Sequence, residues 1–217
     1  MKRRSFLRTT AATALFSGPT HSLPALEKDN KFRRQIGIQL YTLRNQIKEA
    51  PAETIKAVRE AGYVQAEMYG FPDCDPMIEA AKEAGLQLNS SHFEWESVVN
   101  PSDKKLSEFR RILEKADRIG LTHLVIPYLH GKDRKNLDNY KRTAENCNQA
   151  AALAKKQGIQ LAYHNHAFEF EPKQDGLSRF DVFMRDFSPD MHFELDVFWV
   201  KVGNVDPVNL IRKLKGR

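Results

Sequence analysis

Apolar positions follow two alternating patterns after residue 34. Segments with helical spacing end at a glycine, and each glycine is followed by a short run rich in Val, Ile, Leu and Tyr, as in "KEAGLQLNSSHF" and "KKQGIQLAYHNH". Glycine suits the position just past a helix, because it adopts a left-handed conformation without a Cβ penalty. Four copies of this unit are present, centred on Gly62, Gly85, Gly120 and Gly158.

The repeat predicts six strands that alternate with helices. The first strand is expected at 35–41 and the last at 191–200, and each of the four glycines precedes another. Helices are expected at 51–61, 76–84, 102–118, 136–157 and 178–187, and from Asp206 onward. This alternation implies a parallel sheet with right-handed crossovers.

Such a sheet can be an open, doubly wound sheet or a closed barrel, and the ends of the strands distinguish between the two. An open doubly wound sheet usually carries a glycine-rich phosphate loop after its first strand, whereas here that strand is followed by "TLRNQ". The predicted strands end in polar residues, as in a barrel whose active site lies on that face: Gln39, Glu67, His92, His130, His164 and Asp196. The sequence therefore favours an α/β fold of the (β/α)8 TIM-barrel type, with about six βα units in this chain.

Charge separates the first residues from the rest of the chain. The net charge is +6, but Lys2, Arg3, Arg4 and Arg8 supply four of these charges and residues 1–25 contain no acid. The remainder has 30 basic against 28 acidic residues, so charge gives no reason to expect nucleic-acid binding. No apolar segment approaches the length of a membrane span.

The N-terminal segment has the composition of an export signal. Its basic start and weakly apolar run are typical of such signals, and "RRSFLR" resembles the twin-arginine type. We predict an export signal at 1–25, a linker at 26–34 and a barrel domain at 35–217, and hence a periplasmic or otherwise exported protein. A basic, disordered N-terminus is the alternative.

Two pairs of polar side chains share faces near the ends of the last two predicted strands. Glu194 and Asp196 lie two residues apart, as do His164 and His166, so each pair points to one side of its strand. Two imidazoles and carboxylates that converge at strand ends are typical of a metal site. Hard cations prefer carboxylates, whereas Zn²⁺, Co²⁺ and Fe²⁺ also accept imidazole.

Three segments together resemble a known family. "IGIQLYTLRNQI", "AYHNHAFEF" and "FELDVFWVKVGNVDP" are similar to the xylose isomerase-like barrel proteins, a group of sugar phosphate isomerases and epimerases. The resemblance runs from about residue 35 to the end of the chain. It implies an eight-stranded barrel that commonly holds one divalent metal with Glu, Asp, His and Glu after strands five to eight. On this comparison the chain lacks the last two βα units.

The resemblance implies a metal centre and its ligands. It places the sixth-strand ligand at Asp196. His164 stands where relatives carry the fifth-strand Glu, and Glu169 is the alternative carboxylate, so which of the two is the ligand stays open. The expected cofactor is one divalent ion, with Mn, Mg, Co and Zn not distinguished. Glu169 and His164 are also the first candidates for catalytic proton transfer.

Substrate contacts are expected from four further residues. Glu67 and His92 end the second and third strands, and His166 lies one step above His164 toward the mouth. Trp199 replaces a substrate-holding His of some family epimerases, and its ring can stack on a sugar. Each has a structural alternative, such as a polar rim residue or a loop anchor.

The predicted function is a divalent-metal-dependent sugar isomerase or epimerase that acts through an enediolate. A keto-sugar or keto-glycoside lyase or dehydratase on the same barrel is the first alternative, and a non-catalytic exported sugar-binding barrel the second. An apurinic endonuclease would share the fold, but the near-neutral charge argues against it. The expected partner is a small carbohydrate, and a homo-oligomer is left open.

Overall fold

The computed structural model describes residues 35–171 and 176–217. The predicted export signal at 1–25 and linker at 26–34 lie outside these residues. Within them, no helix is long and apolar enough to cross a membrane.

Six strands alternate with helices along the described chain, as the sequence predicts. The strands are β1 Gly37–Gln39, β2 Gln65–Phe71, β3 Gln87–Phe93, β4 His123–Ile126, β5 Gln160–His164 and β6 Met191–Glu194. The α-helices are α1 Arg44–Glu49, α2 Pro51–Glu60, α3 Asp75–Ala84, α4 Glu96–Val99, α5 Asp103–Ile119, α6 Leu137–Lys156, α7 Arg179–Asp186, α8 Val197–Val202 and α9 Pro207–Leu214. Short 3-10 helices lie at Leu40–Leu43, Gly131–Asp133 and Phe168–Phe170.

The strands form one sheet in the order β1-β2-β3-β4-β5-β6, and every neighbouring pair is parallel. The sheet curls into part of a barrel with helices on its outer side. This confirms the predicted (β/α)8-type fold with about six units. In this arrangement the carboxyl ends of all six strands lie at one end of the barrel.

Alternation along the strands separates the core from the barrel interior. On β5, Leu161 and Tyr163 are fully buried and pack in the core between sheet and helices. The residue between them, Ala162, and the last residue, His164, point to the other side of the sheet. The register sets His164 directly beside Glu194 of β6, so polar residues of neighbouring strands meet inside the barrel.

Local capping explains where the helices begin and end. The Ser102 hydroxyl accepts a hydrogen bond from the Lys105 backbone N–H, as expected for the N-cap of α5. The helix ends at Gly120, whose φ of +79° is the left-handed conformation that the sequence pattern predicts.

The prediction of a strand over 191–200 is wrong beyond Glu194. Asp196 is the N-cap of α8, because its carboxylate Oδ1 accepts a hydrogen bond from the Trp199 backbone N–H at 3.0 Å. The apolar run after Asp196 is therefore helical, and part of it, such as Phe198, is exposed. The first strand is also shorter than expected, because a 3-10 helix begins at Leu40.

Candidate active site

Polar side chains from five strands meet inside the barrel near the carboxyl ends. Gln39 of β1 is level with Glu67 of β2, and His164 of β5 with Glu194 of β6. His92 of β3 lies between these two pairs in space. Only about an eighth of each of the Glu67, His92 and His164 side chains is exposed, with values of 12% to 13%.

Short contacts join these groups into one cluster. His92 Nε2 lies 3.2 Å from Glu67 Oε1 and 3.3 Å from Glu194 Oε1. The same Glu194 oxygen lies 2.7 Å from His164 Nδ1. The amide nitrogen of Gln39 lies 3.2 Å from His92 Nδ1, which holds the ring in place from the other side. We call Glu67, His92, His164 and Glu194 the central cluster.

The environment separates the proton affinities of the two carboxyls of the central cluster. Burial raises the pKa of Glu67, and the contact with His92 offsets this only in part. Burial would also raise the pKa of Glu194, but hydrogen bonds from His164 and His92 hold it well below its usual range. Burial alone would lower the pKa of His92, whereas hydrogen bonds to Glu194 and Glu67 raise it to about 9. Carboxyls with divergent pKa values are typical of acid–base sites.

Part of the central cluster has the donor set and spacing of a metal site. Ligand atoms of His92, His164 and Glu194 all lie within 4.8 Å of one another. Asp196 adds a carboxylate, since its Oδ2 lies 3.9 Å from His164 Nε2. Two imidazoles with one or two carboxylates fit a divalent transition metal. The described residues thus fit a divalent metal such as the resemblance implies, although through partly different residues than expected.

Asp196 has two roles in the structure. Its Oδ1 caps α8, while its Oδ2 faces His164. Buried Asn165 fixes this geometry: its side chain accepts a hydrogen bond from the Asp196 backbone N–H at 2.9 Å and donates one to the Asp196 carbonyl at 3.2 Å. Sequence reasoning missed Asn165, and its only signal was its position between the two histidines of "YHNHA".

The structure does not bring Glu169 to the central cluster. Its carboxylate is fully buried and accepts hydrogen bonds from the Tyr163 hydroxyl at 2.5 Å and from the His166 backbone N–H at 2.9 Å. Tyr163 belongs to the core between sheet and helices, so Glu169 lies behind β5, away from the barrel interior. Burial raises the pKa of Glu169 to about 7, although these hydrogen bonds act against it.

His166 lies beside the central cluster, among aromatic rings. Its ring is stacked on Phe168 at 5.5 Å and lies 5.3 Å from the ring of Trp199 and 5.0 Å from that of His164. Burial and the neighbouring His164 lower the pKa of His166 to about 4, so the ring is neutral near pH 7. Its Nδ1 is buried and has no hydrogen-bond partner among the described residues.

A cavity of about 1330 Å³ opens above the central cluster. His92, His164 and Asp196 line its floor. Aromatic side chains line much of the remainder: Tyr41, Tyr69, Trp95, Tyr128 and Trp199. Of the predicted substrate residues, His92, His166 and Trp199 line this cavity, and Glu67 lines a smaller neighbouring one of about 510 Å³. Sequence reasoning noted Gln39 only as a polar strand end, and it did not select Tyr128 or Trp95, which lie just beyond the ends of β4 and β3.

Comparison with known proteins identifies the fold family. The sequence profile of the xylose isomerase-like TIM barrel family matches residues 46–215. No protein with a curated function matches the chain.

Among solved structures, a sugar phosphate isomerase/epimerase from Parabacteroides distasonis is similar, with 26% identity and a TM-score of 0.66 over 83% of this chain and 71% of that one. An AP endonuclease of family 2 from Brucella melitensis shares 19% identity, with a TM-score of 0.60 over 84% and 76%. A D-psicose 3-epimerase determined in the presence of D-fructose shares 17% identity, with a TM-score of 0.55 over 75% and 63%, so this chain spans less than two thirds of that protein. The match over most of the chain and the parallel six-stranded sheet lead to one conclusion: the chain belongs to the xylose isomerase-like TIM barrel family.

Proposed function

We propose that this chain forms the active site of a divalent-metal-dependent sugar isomerase or epimerase that acts through an enediolate. The observation that carries the proposal is the central cluster, in which two imidazoles that line a cavity rich in aromatic rings meet two carboxylates that line the smaller cavity beside it. The similarity to structures of sugar epimerases and isomerases supports the same substrate class, a small carbohydrate.

His92, His164, Glu194 and Asp196 are the residues that would hold the metal. A divalent cation at this place, when bound, would polarise the carbonyl and neighbouring hydroxyl of a sugar and so acidify the C–H bond between them. Glu194 is suited to this position, because its low pKa keeps it ionised and its contact with His164 orients that ring.

Proton transfer then falls to groups that lie beside the proposed ligands. Glu67 belongs to the central cluster and contacts His92, and a carboxyl there can accept a proton from the substrate and return it. His166 is a second candidate, because its neutral ring lines the cavity beside Trp199. Glu169 has both carboxylate oxygens in hydrogen bonds behind β5, which favours a positioning role over the predicted catalytic one.

Hydrogen exchange tests this proposal directly. The full chain, supplied with Mn²⁺, is incubated with D-fructose in D₂O, and deuterium at the carbon next to the carbonyl is followed by NMR. We expect exchange with the unaltered protein and at least about a hundredfold loss with Glu67→Gln. His123→Asn is the matched control, since His123 contacts Thr122 at the opposite end of β4. Equal rates in Glu67→Gln and the control would refute the role of Glu67, and no exchange with any ketose would refute the enediolate.

Elimination from a keto-sugar is the second candidate function. The specific observation in its favour is the extent of the cavity, which continues beyond the central cluster along Tyr128 and Trp95 and could hold a leaving group. Release of a free alcohol from a keto-glycoside, measured by chromatography, would identify this reaction. An isomerase or epimerase would leave the glycosidic bond intact.

We also propose export through the twin-arginine-type segment at 1–25, with the barrel domain beginning near residue 35. The support is the basic start and the "RRSFLR" sequence. Cell fractionation tests it: the protein should appear in the periplasmic fraction, and replacement of Arg3 and Arg4 by Lys should retain it in the cytoplasm.

A further inference from the structure

The cavity above the central cluster extends past the ends of the strands. Its lining runs from His92, His164 and Asp196 outward to Tyr128 and Trp95. A single hexose in contact with His92, His164 and Asp196 would leave the part of the cavity beside Trp95 unfilled.

A row of aromatic rings leads from the central cluster into this outer part. His166 lies 5.0 Å from His164, and Tyr128 lies 5.2 Å from His166 at an interplanar angle of 87°. Trp95 continues the row at 6.5 Å from Tyr128. Trp95 follows His92 by three residues and lies beyond the end of β3, so it stands farther toward the mouth than the central cluster.

The described residues of this row offer a stacking surface and no free cation. The guanidinium of Arg134 stacks on Phe168 at 3.8 Å and donates to the Tyr128 hydroxyl at 3.0 Å. Lys105 and Lys132 are each paired with Glu96 at 3.3 Å, and none of these three cations lines the cavity. The cations that do line the cavity within residues 35–171 and 176–217 all lie on α5: Arg111, Lys115 and Arg118. A phosphate beside Trp95 and Tyr128 would therefore have to compete with Glu96 and Tyr128 for cations that are already engaged, whereas a neutral ring would find aromatic faces.

We propose that the substrate is a neutral glycoside with two rings, a sugar at the central cluster and a second ring, sugar or aryl, against Trp95 and Tyr128. This inference rests on the proposed function, because it takes the central cluster as the place of the reacting sugar. It narrows the substrate class from sugars and sugar phosphates to uncharged two-ring compounds.

Calorimetric titration of the full chain with three ligands tests the substrate class. The ligands are D-fructose, D-fructose 6-phosphate and a disaccharide whose reducing unit is fructose. We expect the disaccharide to bind about tenfold more tightly than fructose, since one added aromatic contact is worth roughly that factor. The phosphate should bind no more tightly than fructose. Equal affinity for fructose and the disaccharide, or tighter binding of the phosphate, would overturn the inference.

Variants at Trp95 locate the second ring. Trp95→Ala should reduce the ratio of disaccharide to fructose affinity about tenfold, and Trp95→Phe should restore most of that ratio, because it keeps a ring face. Tyr63→Ala is the matched control: Tyr63 is also a half-buried aromatic residue, but it precedes β2 at the opposite end of the barrel. A ratio that is unchanged in Trp95→Ala would place the second ring elsewhere and refute the assignment.

Failure of this inference can be told apart from failure of the proposed function. If fructose shows hydrogen exchange in D₂O while the disaccharide has no advantage in binding, the sugar isomerase or epimerase stands and the two-ring substrate does not. If no ketose, free or in the disaccharide, shows exchange, the enediolate fails independently of the affinity ratios.

Discussion

The buried carboxyl of Glu169 makes the stability of this protein depend on pH in a way that one substitution should remove. Glu169 is fully buried and accepts hydrogen bonds from Tyr163 and from the backbone of His166. The amide of Gln has nearly the same shape and can still accept the backbone hydrogen bond, but it does not titrate. Glu169→Gln therefore isolates the contribution of the ionisable group.

The size and sign of the effect follow from the pKa of Glu169. Burial raises this pKa from 4.5 to about 7. Below pH 4.5 the carboxyl is protonated in both the folded and the unfolded chain, and it adds no pH dependence. As pH rises from 4.5 to 7, the unfolded chain loses this proton while the folded chain keeps it, so the free energy of unfolding falls. The difference of about 2.5 in pKa, at about 1.36 kcal/mol for each unit, corresponds to a loss of about 3 kcal/mol that is complete above pH 7.

Urea unfolding, followed by circular dichroism at several pH values between 4 and 8, measures this loss. Relative to the unaltered protein, Glu169→Gln should gain about 3 kcal/mol in its free energy of unfolding between pH 4.5 and 8. Glu171→Gln is the matched control, because Glu171 lies two residues away, is exposed and pairs with Arg179. Parallel pH profiles for the unaltered protein and Glu169→Gln would refute the reasoning.

The same variant decides between catalysis and positioning for Glu169. If the carboxylate acts only behind β5, the exchange rate of Glu169→Gln with D-fructose should remain within about tenfold of the unaltered rate. A loss as large as that expected for Glu67→Gln would restore the sequence-based prediction that Glu169 is catalytic.

Three further predictions concern the loops around the site. Gly203→Ala should lower the free energy of unfolding in urea by about 1–3 kcal/mol, because a Cβ at this position would lie 2.6 Å from the Cβ of Phe170. Gly131→Ala is the control and should change the free energy of unfolding little, because no atom lies within contact distance of its added Cβ. Equal effects of the two substitutions would contradict this prediction. Asn165→Ala should cost about 1–3 kcal/mol in the same assay, because two backbone groups lose their partner, and an unchanged midpoint would contradict this. His164→Ala should weaken Mn²⁺ or Zn²⁺ binding by at least about tenfold in equilibrium dialysis, and retained affinity would exclude it as a ligand.

The fold could be predicted because its signals are local and repeated. A glycine such as Gly120 marks the end of a helix, because the residue just past the helix adopts a left-handed conformation. In the strand that follows, alternate side chains point to opposite faces of the sheet. The same alternation predicted that His164 and His166 share a face, and the structure has their rings 5.0 Å apart, with His164 beside Glu194. Polar residues at the ends of successive strands indicated the correct end of the barrel.

The site was harder to predict, because its geometry depends on contacts between distant segments. Nothing near Glu169 in sequence indicates that the 3-10 helix at Phe168–Phe170 turns its carboxylate toward Tyr163 and the core. The apolar run after Asp196 has the composition of a strand, but in the structure it forms a helix that the Asp196 carboxylate caps. The sequence indicated Gln39 only as a polar strand end, because its contact partner His92 is 53 residues away in sequence.

Buried groups outside the cavity connect the loops that follow β5 and β6 into one unit. The last strand pair is His164 with Glu194, and the hydrogen bonds of Asn165 to the Asp196 backbone continue this pairing one step further. The Glu169 carboxylate accepts a hydrogen bond from the His166 backbone N–H on the core side of β5. A change at Asn165 should therefore reach the proposed metal site through the position of Asp196, although Asn165 offers no ligand atom to it. For this reason we expect the residues that determine metal affinity to include this buried asparagine as well as the side chains that line the cavity.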